Sequence, residues 1–312
     1  RALRLEVHFA RRPYPVFRQA AGNCRLAACT PRQSPLHCSG EMDAYTAAMP
    51  ELAEVEYYRK QWNPGVGQKI NAVRSHANKR IFRGSSTTEL RRRLTNSRLL
   101  RSTARGKQML FEFSGGNWLG LHLGMSGTLR IEPAKFRLEK HDHLVFQQAK
   151  RALIFRDPRL FGRVRFHHGK DAPDWWSAAP PNIAARKFSA AYVADFLKRH
   201  ARAPIKGVLL MQSGFAGIGN WMADEILWRA GILPARKSGG LNAEERTALR
   251  RATRFVSREA LRIIGHDYAD PPKTWLIHQR WKSGGVCPRH RTPLQRATVG
   301  GRTTAWCSRC QH

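Results

Sequence analysis

The sequence predicts an α+β protein of several domains: a helix and an antiparallel β-sandwich, then a helical domain, then a small metal-bound β-hairpin. Three observations carry this. Apolar residues alternate with a period of two through much of the first half, and recur at three- and four-residue spacing after residue 179. The last 26 residues place Cys287, His290, Cys307 and Cys310 at the spacing of a metal-binding ribbon. At 312 residues the chain exceeds what a single core ordinarily supports.

Residues 1–48 hold seven arginines against three acidic residues, with scattered Pro, Ser and Cys and no sustained period. They are expected to have no fold of their own. Met49 stands just before the first strongly patterned segment, so the extension reads as a mis-assigned start or, second, an Arg-rich transit peptide. From Pro50, Leu52, Val55, Tyr58 and Trp62 form a helical stripe, Glu51, Glu54 and Glu56 suit the helix dipole, and Asn63-Pro64-Gly65 ends the helix. Met109, Phe111 and Phe113 then alternate, Ser114-Gly115-Gly116-Asn117 turns, and Leu119, Leu121 and Leu123 return. Further strands are predicted at 141–148, 152–156 and 162–167, completing a sandwich domain over 49–178. Helices follow at 189–200, 204–212, 219–231 and 242–264, the last opened by an Asn242–Glu245 capping box, and fill a domain over 179–272. Residues 273–312 are the metal finger, with two strand-like segments expected to enclose the cysteines.

Lys and Arg outnumber Asp and Glu by 55 to 22, a formal charge of +33. Solubility does not require so large an excess, and a polyanion, nucleic acid first, is the expected partner. No apolar run approaches the roughly 18 to 20 residues that span a bilayer, and no secretory signal is evident, so the expected location is intracellular: cytoplasmic and nucleoid-associated if bacterial. The cysteines fall in two groups, 24, 29 and 38 against 287, 307 and 310, unlike a disulfide framework.

The pairs Cys287-Pro-Arg-His290 and Cys307-Ser-Arg-Cys310 suit one structural Zn²⁺ in a closed tetrahedron. Between them, Gly300-Gly301-Arg302 puts a guanidinium beside a turn, where it can fork onto phosphate. The stretch Gln212 to Asn220 feeds a helix start through three glycines and exposes backbone N–H groups to an anion.

Met49-Pro-Glu-Leu-Ala-Glu-Val-Glu56, Arg105-Gly-Lys107, His122-Leu-Gly-Met125, Asp157-Pro-Arg-Leu-Phe-Gly162, the glycine turn ending in Asn220, and the terminal ribbon together resemble the formamidopyrimidine-DNA glycosylase and endonuclease VIII family, closer to the former. They follow that family's order over about 260 residues. The resemblance implies that the 179–272 domain is a helix–two-turns–helix DNA-binding domain, and that the protein is a base-excision glycosylase with abasic-site lyase activity on oxidised purines. It implies Pro50 as nucleophile, Glu51 as acid and base, Lys107 as phosphate contact and catalytic aid, and Glu54 as supporting carboxylate. Met125, Arg159 and Phe161 would fill the hole left by an everted nucleotide, and His122, Lys206, Asn220 and Arg302 would hold DNA. A proline amide has no free lone pair, so the expected catalyst is the monomeric chain beginning at Pro50.

Ala53 replaces a usual proline, Leu160 stands where arginine is frequent, and His290 replaces a cysteine. The stretch 265–285 is short of the loop that closes over the base in the oxidised-purine enzymes. The alternatives are an oxidised-pyrimidine glycosylase, a non-catalytic binder of damaged DNA, and a structural zinc protein on RNA. The last explains charge and cysteines but not Pro50, Glu51 and Lys107 together.

Overall fold

A computed structural model describes residues 49–312; the reading of 1–48 as an extension lies outside the described residues. The fold begins with helix α1 (Leu52–Gln61), which ends in a tight turn at Asn63–Gly65 as its proline and glycine predict. Strand β1 (Ala72–Ser75) and helix α2 (Thr87–Leu94) follow, the latter capped by the Ser86 hydroxyl, which accepts from Glu89 N. Seven strands complete the sandwich: β2 (Leu99–Arg105), β3 (Gln108–Phe113), β4 (Asn117–His122), β5 (Thr128–Pro133), β6 (Asp142–Gln147), β7 (Arg151–Arg156) and β8 (Arg163–His168).

The strands form two four-stranded antiparallel sheets, ordered β1-β6-β7-β5 and β2-β3-β4-β8. Alternation sends Met109, Phe111, Phe113, Leu119 and Leu121 from one sheet, and Leu144, Phe146, Leu153 and Phe155 from the other, into one core. Two of the eight strands, β1 and β2, carry no clean alternation of apolar residues: Leu100-Arg-Ser-Thr-Ala-Arg105 and Ala72-Val-Arg-Ser75 are exposed or only half-buried, and only pairing with β3 and β6 makes them strands.

After a short helix α3 (Asp174–Ser177) come α4 (Ala190–Arg199), α5 (Ile205–Leu209), α6 (Asn220–Ala230), α7 (Ala243–Asp267) and the single turn α8 (Ile277–Arg280). Helix α6 stops at Gly231, whose φ of 74° takes the left-handed C-cap that glycine tolerates. Helix α7 opens as predicted: Glu245 N donates to Asn242 Oδ1 at 2.9 Å, and Asn242 N to Glu245 Oε2 at 2.8 Å. Strands β9 (Gln295–Val299) and β10 (Arg302–Trp306) form the terminal hairpin across Gly300-Gly301. The strands do not enclose the cysteines. They lie between the two ligand pairs, because each Cys pair is a tight turn and the extended residues are those in between.

Helix α1 belongs to both large cores. Leu52 and Ala53 pack with α4–α7, while Val55 and Trp62 pack inside the sandwich. Trp62 is fully buried, with Phe111 at 4.8 Å and Phe146 at 5.6 Å between ring centroids, and its Nε1–H donates to Arg130 O at 3.2 Å. Among the described residues no helix is long and apolar enough to cross a membrane. Trp62→Ala should lower unfolding free energy by about 3–5 kcal/mol, and urea unfolding with and without the substitution measures it.

Candidate active site

The two turns that the glycines open meet at the start of α1. Gly106 (φ 59°) makes the β2–β3 turn so close to residues 216–217 that a side chain there would crowd the backbone. Gln212 fastens the 212–219 turn: its Oε1 accepts from Gly217 N at 3.0 Å, and its Nε2 donates to Ile218 O at 2.8 Å. Gly217 O in turn accepts from Leu52 N at 3.0 Å. The first turn of α1, the Lys107 turn and the start of α6 are thereby fixed together.

Glu51 occupies the junction. Its carboxylate accepts from Gly219 N at 2.8 Å, Trp221 N at 2.9 Å and Met222 N at 3.2 Å, capping α6 from 170 residues away in the chain. Burial nonetheless pushes its pKa up to about 7, against the opposing pull of Lys107 and the N–H groups and with the added push of Glu54. Glu54 lies behind it, accepting from Glu51 N at 3.1 Å and from Trp221 Nε1 at 3.1 Å. Lys107 is pulled below the usual lysine range by burial, partly countered by Glu51 and Glu54. His122 is lowered to about 4 by burial and by the cations Lys107, Arg165 and Arg83. It is therefore neutral near pH 7. Gly124 N–H donates to its Nδ1 at 3.0 Å, which leaves the proton on Nε2.

Glu51, Lys107 and His122 line a cavity of about 390 Å³ with Met49, Met125, Asn220, Trp221, Trp281 and Arg302, and Glu54 lies outside its lining. Pro50 is half-buried between two of the lining residues, Met49 and Glu51. Arg159 and Phe161 stand apart from the cavity on the Asp157–Gly162 loop. Phe161 is 40% exposed, with the Arg159 guanidinium 5.1 Å from its ring. Asp157 is fully buried beneath that loop and holds it, accepting from Ser126 Oγ at 2.7 Å and Gly162 N at 2.7 Å.

Lys206 does not reach the surface as a phosphate-binding lysine must. Its side chain is 0% exposed, ion-paired to Asp224 and donating to Asn220 O at 2.9 Å. The reason is a buried network that the sequence does not announce: Asp224 also accepts from Arg280 Nε at 2.9 Å and Ala305 N at 3.2 Å, joining α5, α6, α8 and β10. Lys206 thus supports Asn220 from below. Asn220 and Arg302 do reach the cavity, and Asn220 Nδ2 donates to Thr303 O at 3.1 Å. Trp281 and Gln212 also line it. Nothing in their spacing distinguishes Trp281 from a core aromatic, whereas Gln212 stands at the head of a glycine-bearing turn.

At the other end of the hairpin, one ligand atom from each of Cys287, His290, Cys307 and Cys310 lies within 4.8 Å of the others. Cys287 and Cys310 sulfurs are 3.5 Å apart, and His290 Nδ1 is 3.1 Å from Cys310 Sγ. A tetrahedron with ~2.3 Å metal–sulfur bonds has edges of about 3.8 Å, so the four residues can hold a metal ion. Trp228 Nε1–H donates to Cys287 Sγ at 3.4 Å, an outer contact of the kind that orients a thiolate ligand.

Models of two domains match the chain: the formamidopyrimidine-DNA glycosylase N-terminal domain over residues 49–164, and the H2TH domain of the same family over 179–269. The formamidopyrimidine-DNA glycosylase of Thermus thermophilus is 35% identical over 277 residues, covering 84% of this chain and 98% of its own. That of Xanthomonas axonopodis pv. citri is 32% identical over 275 residues, covering 84% and 100%. Among solved structures, Lactococcus lactis Fpg bound to DNA containing an oxidised pyrimidine superposes with a TM-score of 0.77 at 28% identity, covering 84% and 100%. The same protein with DNA containing an abasic site gives 0.76 at 28% identity, covering 84% and 99%.

The Glu51 carboxyl has a raised pKa in the folded chain, so it favours folding at low pH and the advantage is lost as pH rises from its ordinary 4.5 to about 7. Glu51→Gln should flatten this part of the pH–stability curve, worth on the order of 3 kcal/mol, in urea titrations at pH 4.5 and 7.5. Glu225, raised to about 7 by burial, adds a slope of the same sign that the substitution leaves in place. A Cβ on Gly219 would overlap the Glu51 carboxyl. Gly219→Ala should cost about 1–3 kcal/mol of stability through the broken cap, measured the same way.

Proposed function

The chain belongs to the formamidopyrimidine-DNA glycosylase family, and from that premise we propose that Pro50, freed of Met49, is the nucleophile that opens the glycosidic bond of an oxidised purine. As a member of the family the protein is a base-excision DNA glycosylase and abasic-site lyase, and its partner is duplex DNA carrying a damaged base. The observation that carries the residue assignment is the buried Glu51 carboxyl beside Pro50, held at a pKa of about 7 and flanked by Lys107.

Inside a peptide bond the proline nitrogen delocalises its lone pair and is inert. As a free secondary amine at a helix start it is less readily protonated and can attack the sugar C1′. The N–C1′ bond forms as the C1′–base bond breaks, the pair leaving on the base, which takes up the proton that the proline nitrogen gives up. Glu51, protonated up to about pH 7, delivers a proton to the sugar ring oxygen as the ring opens. The resulting iminium accepts the electrons released when a C2′ proton is removed, and the 3′ phosphate departs as the elimination's leaving group. Glu51, now a carboxylate, is placed to take that proton. Glu54 holds the Glu51 backbone, and Lys107, neutral His122, Asn220 and Arg302 supply donors for the flanking phosphates.

Met125 lines the cavity, while exposed Phe161 and Arg159 form a wedge that can enter the stack when the nucleotide turns out. In this reading the division is 49–178 for catalysis, 179–272 for the helix–two-turns–helix and 273–312 for the finger. The finger holds one structural Zn²⁺ on Cys287, His290, Cys307 and Cys310, whose charge and four closed ligands would fix the hairpin carrying Arg302. The protein works as a monomer on chromosomal DNA, in the nucleoid where the source is bacterial. The oxidised-pyrimidine reading keeps a specific support, because Lactococcus lactis Fpg is solved with such DNA.

Protein beginning at Pro50 is expected to form a borohydride-trappable covalent adduct with duplexes carrying 8-oxoguanine or an abasic site, while protein retaining Met49 gives none. No adduct from the Pro50 form with either lesion would leave a non-catalytic binder of damaged DNA. Single-turnover formation of the trappable iminium should fall about tenfold per pH unit above 7 as Glu51 loses its proton; a rate flat to pH 9 would remove Glu51 from the acid role. Chelation should release one zinc, lower Tm and weaken DNA binding, read by a metal indicator and fluorescence anisotropy.

A further inference from the structure

Helix α7 carries arginine at 246, 250, 254 and 258, with Arg251 beside the row. Four residues return to nearly the same helix face about 6 Å further along, so these side chains form a file. Arg250, Arg251, Arg254 and Arg258, with Thr247 and Phe255, wall a groove of about 340 Å³ that contains no carboxylate. Arg258 shares Glu259 with Arg262, while among the described residues no ion pair reaches Arg250, Arg251 or Arg254. The file is also anchored. Arg254 Nη2 donates to Ala185 O at 2.8 Å and Phe188 O at 3.0 Å, and the Nε groups of Arg250 and Arg254 are buried without an acceptor. Four converging cations repel one another unless an anion of matching length sits among them.

We propose that this groove is a second DNA-binding surface, which grips the phosphate backbone of the duplex several base pairs from the lesion. The proposal rests on the chain being a DNA glycosylase but on none of its cavity residues, since no residue of α7 lines that cavity. Helix α7 meets α1 at Gly265, whose carbonyl accepts from Lys60 Nζ at 2.8 Å. From there Arg258, Arg254 and Arg250 stand about 10, 16 and 22 Å back along the axis. A duplex advances about 3.4 Å per base pair, so the furthest arginine corresponds to six or seven pairs. Guanidinium forks bind phosphate oxygens without reading bases. The aromatic wall offers no anchor to an apolar peptide side chain, because Arg229 and Arg258 already flank the Phe255 ring at 4.8 and 5.7 Å.

The test is the affinity of the full chain for tetrahydrofuran abasic-site duplexes with flanks of about 5 or about 20 base pairs on each side. Wild type should bind the long duplex at least tenfold tighter. Arg250→Ala/Arg251→Ala, at sites beyond a flank of about 5 pairs, should lose most of that gain and keep its short-duplex Kd within about twofold, and its salt slope on the long duplex should fall by about two. Alanine favours the helix, and the corresponding double lysine variant, which keeps the charge, should retain most of the gain. An alanine variant with the full flank gain and salt slope overturns the proposal and leaves the groove to an acidic protein segment. Failure of wild type to bind even the short lesion duplex would instead sink the glycosylase reading, and this proposal with it.

Discussion

One carboxylate holds the functional architecture in place. Glu51 sits at the beginning of the described residues, yet it satisfies three N–H groups at the start of α6, which no intrahelical carbonyl can reach. The cap works only because Gly219 has no side chain and because Gln212 and Gly217 lock the turn before it. The same contacts that stabilise α6 bury the carboxyl, and burial is what gives an acid that is half-protonated near neutrality. Stability and reactivity therefore draw on a single geometry.

The second constraint is the double membership of α1. A helix of ten residues contributes its first turn to the helical core and its last to the sandwich core, so neither can shift without moving the residues between. Pro50 and Glu51 precede that helix directly. The lysine turn comes from the sandwich and the α6 start from the helical unit, and α1 sets their separation. A cavity lined by side chains from residue 49 to residue 302 is thus held by one short element rather than by loops.

Much of this was legible in the sequence where a residue's neighbours repeat its pattern. The Leu119-Gly-Leu121 alternation, the Asn242–Glu245 cap and the two ligand pairs are local signals, and each appears as expected. Strands β1 and β2 were not legible, because pairing rather than their own pattern makes them strands, β1 with a partner 75 residues away. Among the expected site residues, Glu51, Lys107, His122, Met125, Asn220 and Arg302 gather at one cavity. Lys206 does not: a lysine inside Pro204-Ile-Lys-Gly reads as exposed, and only Asp224, eighteen residues on, reveals its burial. Trp281 reaches the cavity from a turn with no motif at all.

Asp224 has a further consequence for how the molecule comes apart. Its two oxygens serve a lysine from α5, an arginine from α8 and a backbone amide from β10, all removed from water. Opening the terminal hairpin alone would take the Ala305 N–H and the Thr303 carbonyl from this network and leave its charged groups with fewer partners. These contacts couple opening of the hairpin to the helices beneath it. Arg302 is thereby carried on a strand tied to the helical core through its neighbours Thr303 and Ala305.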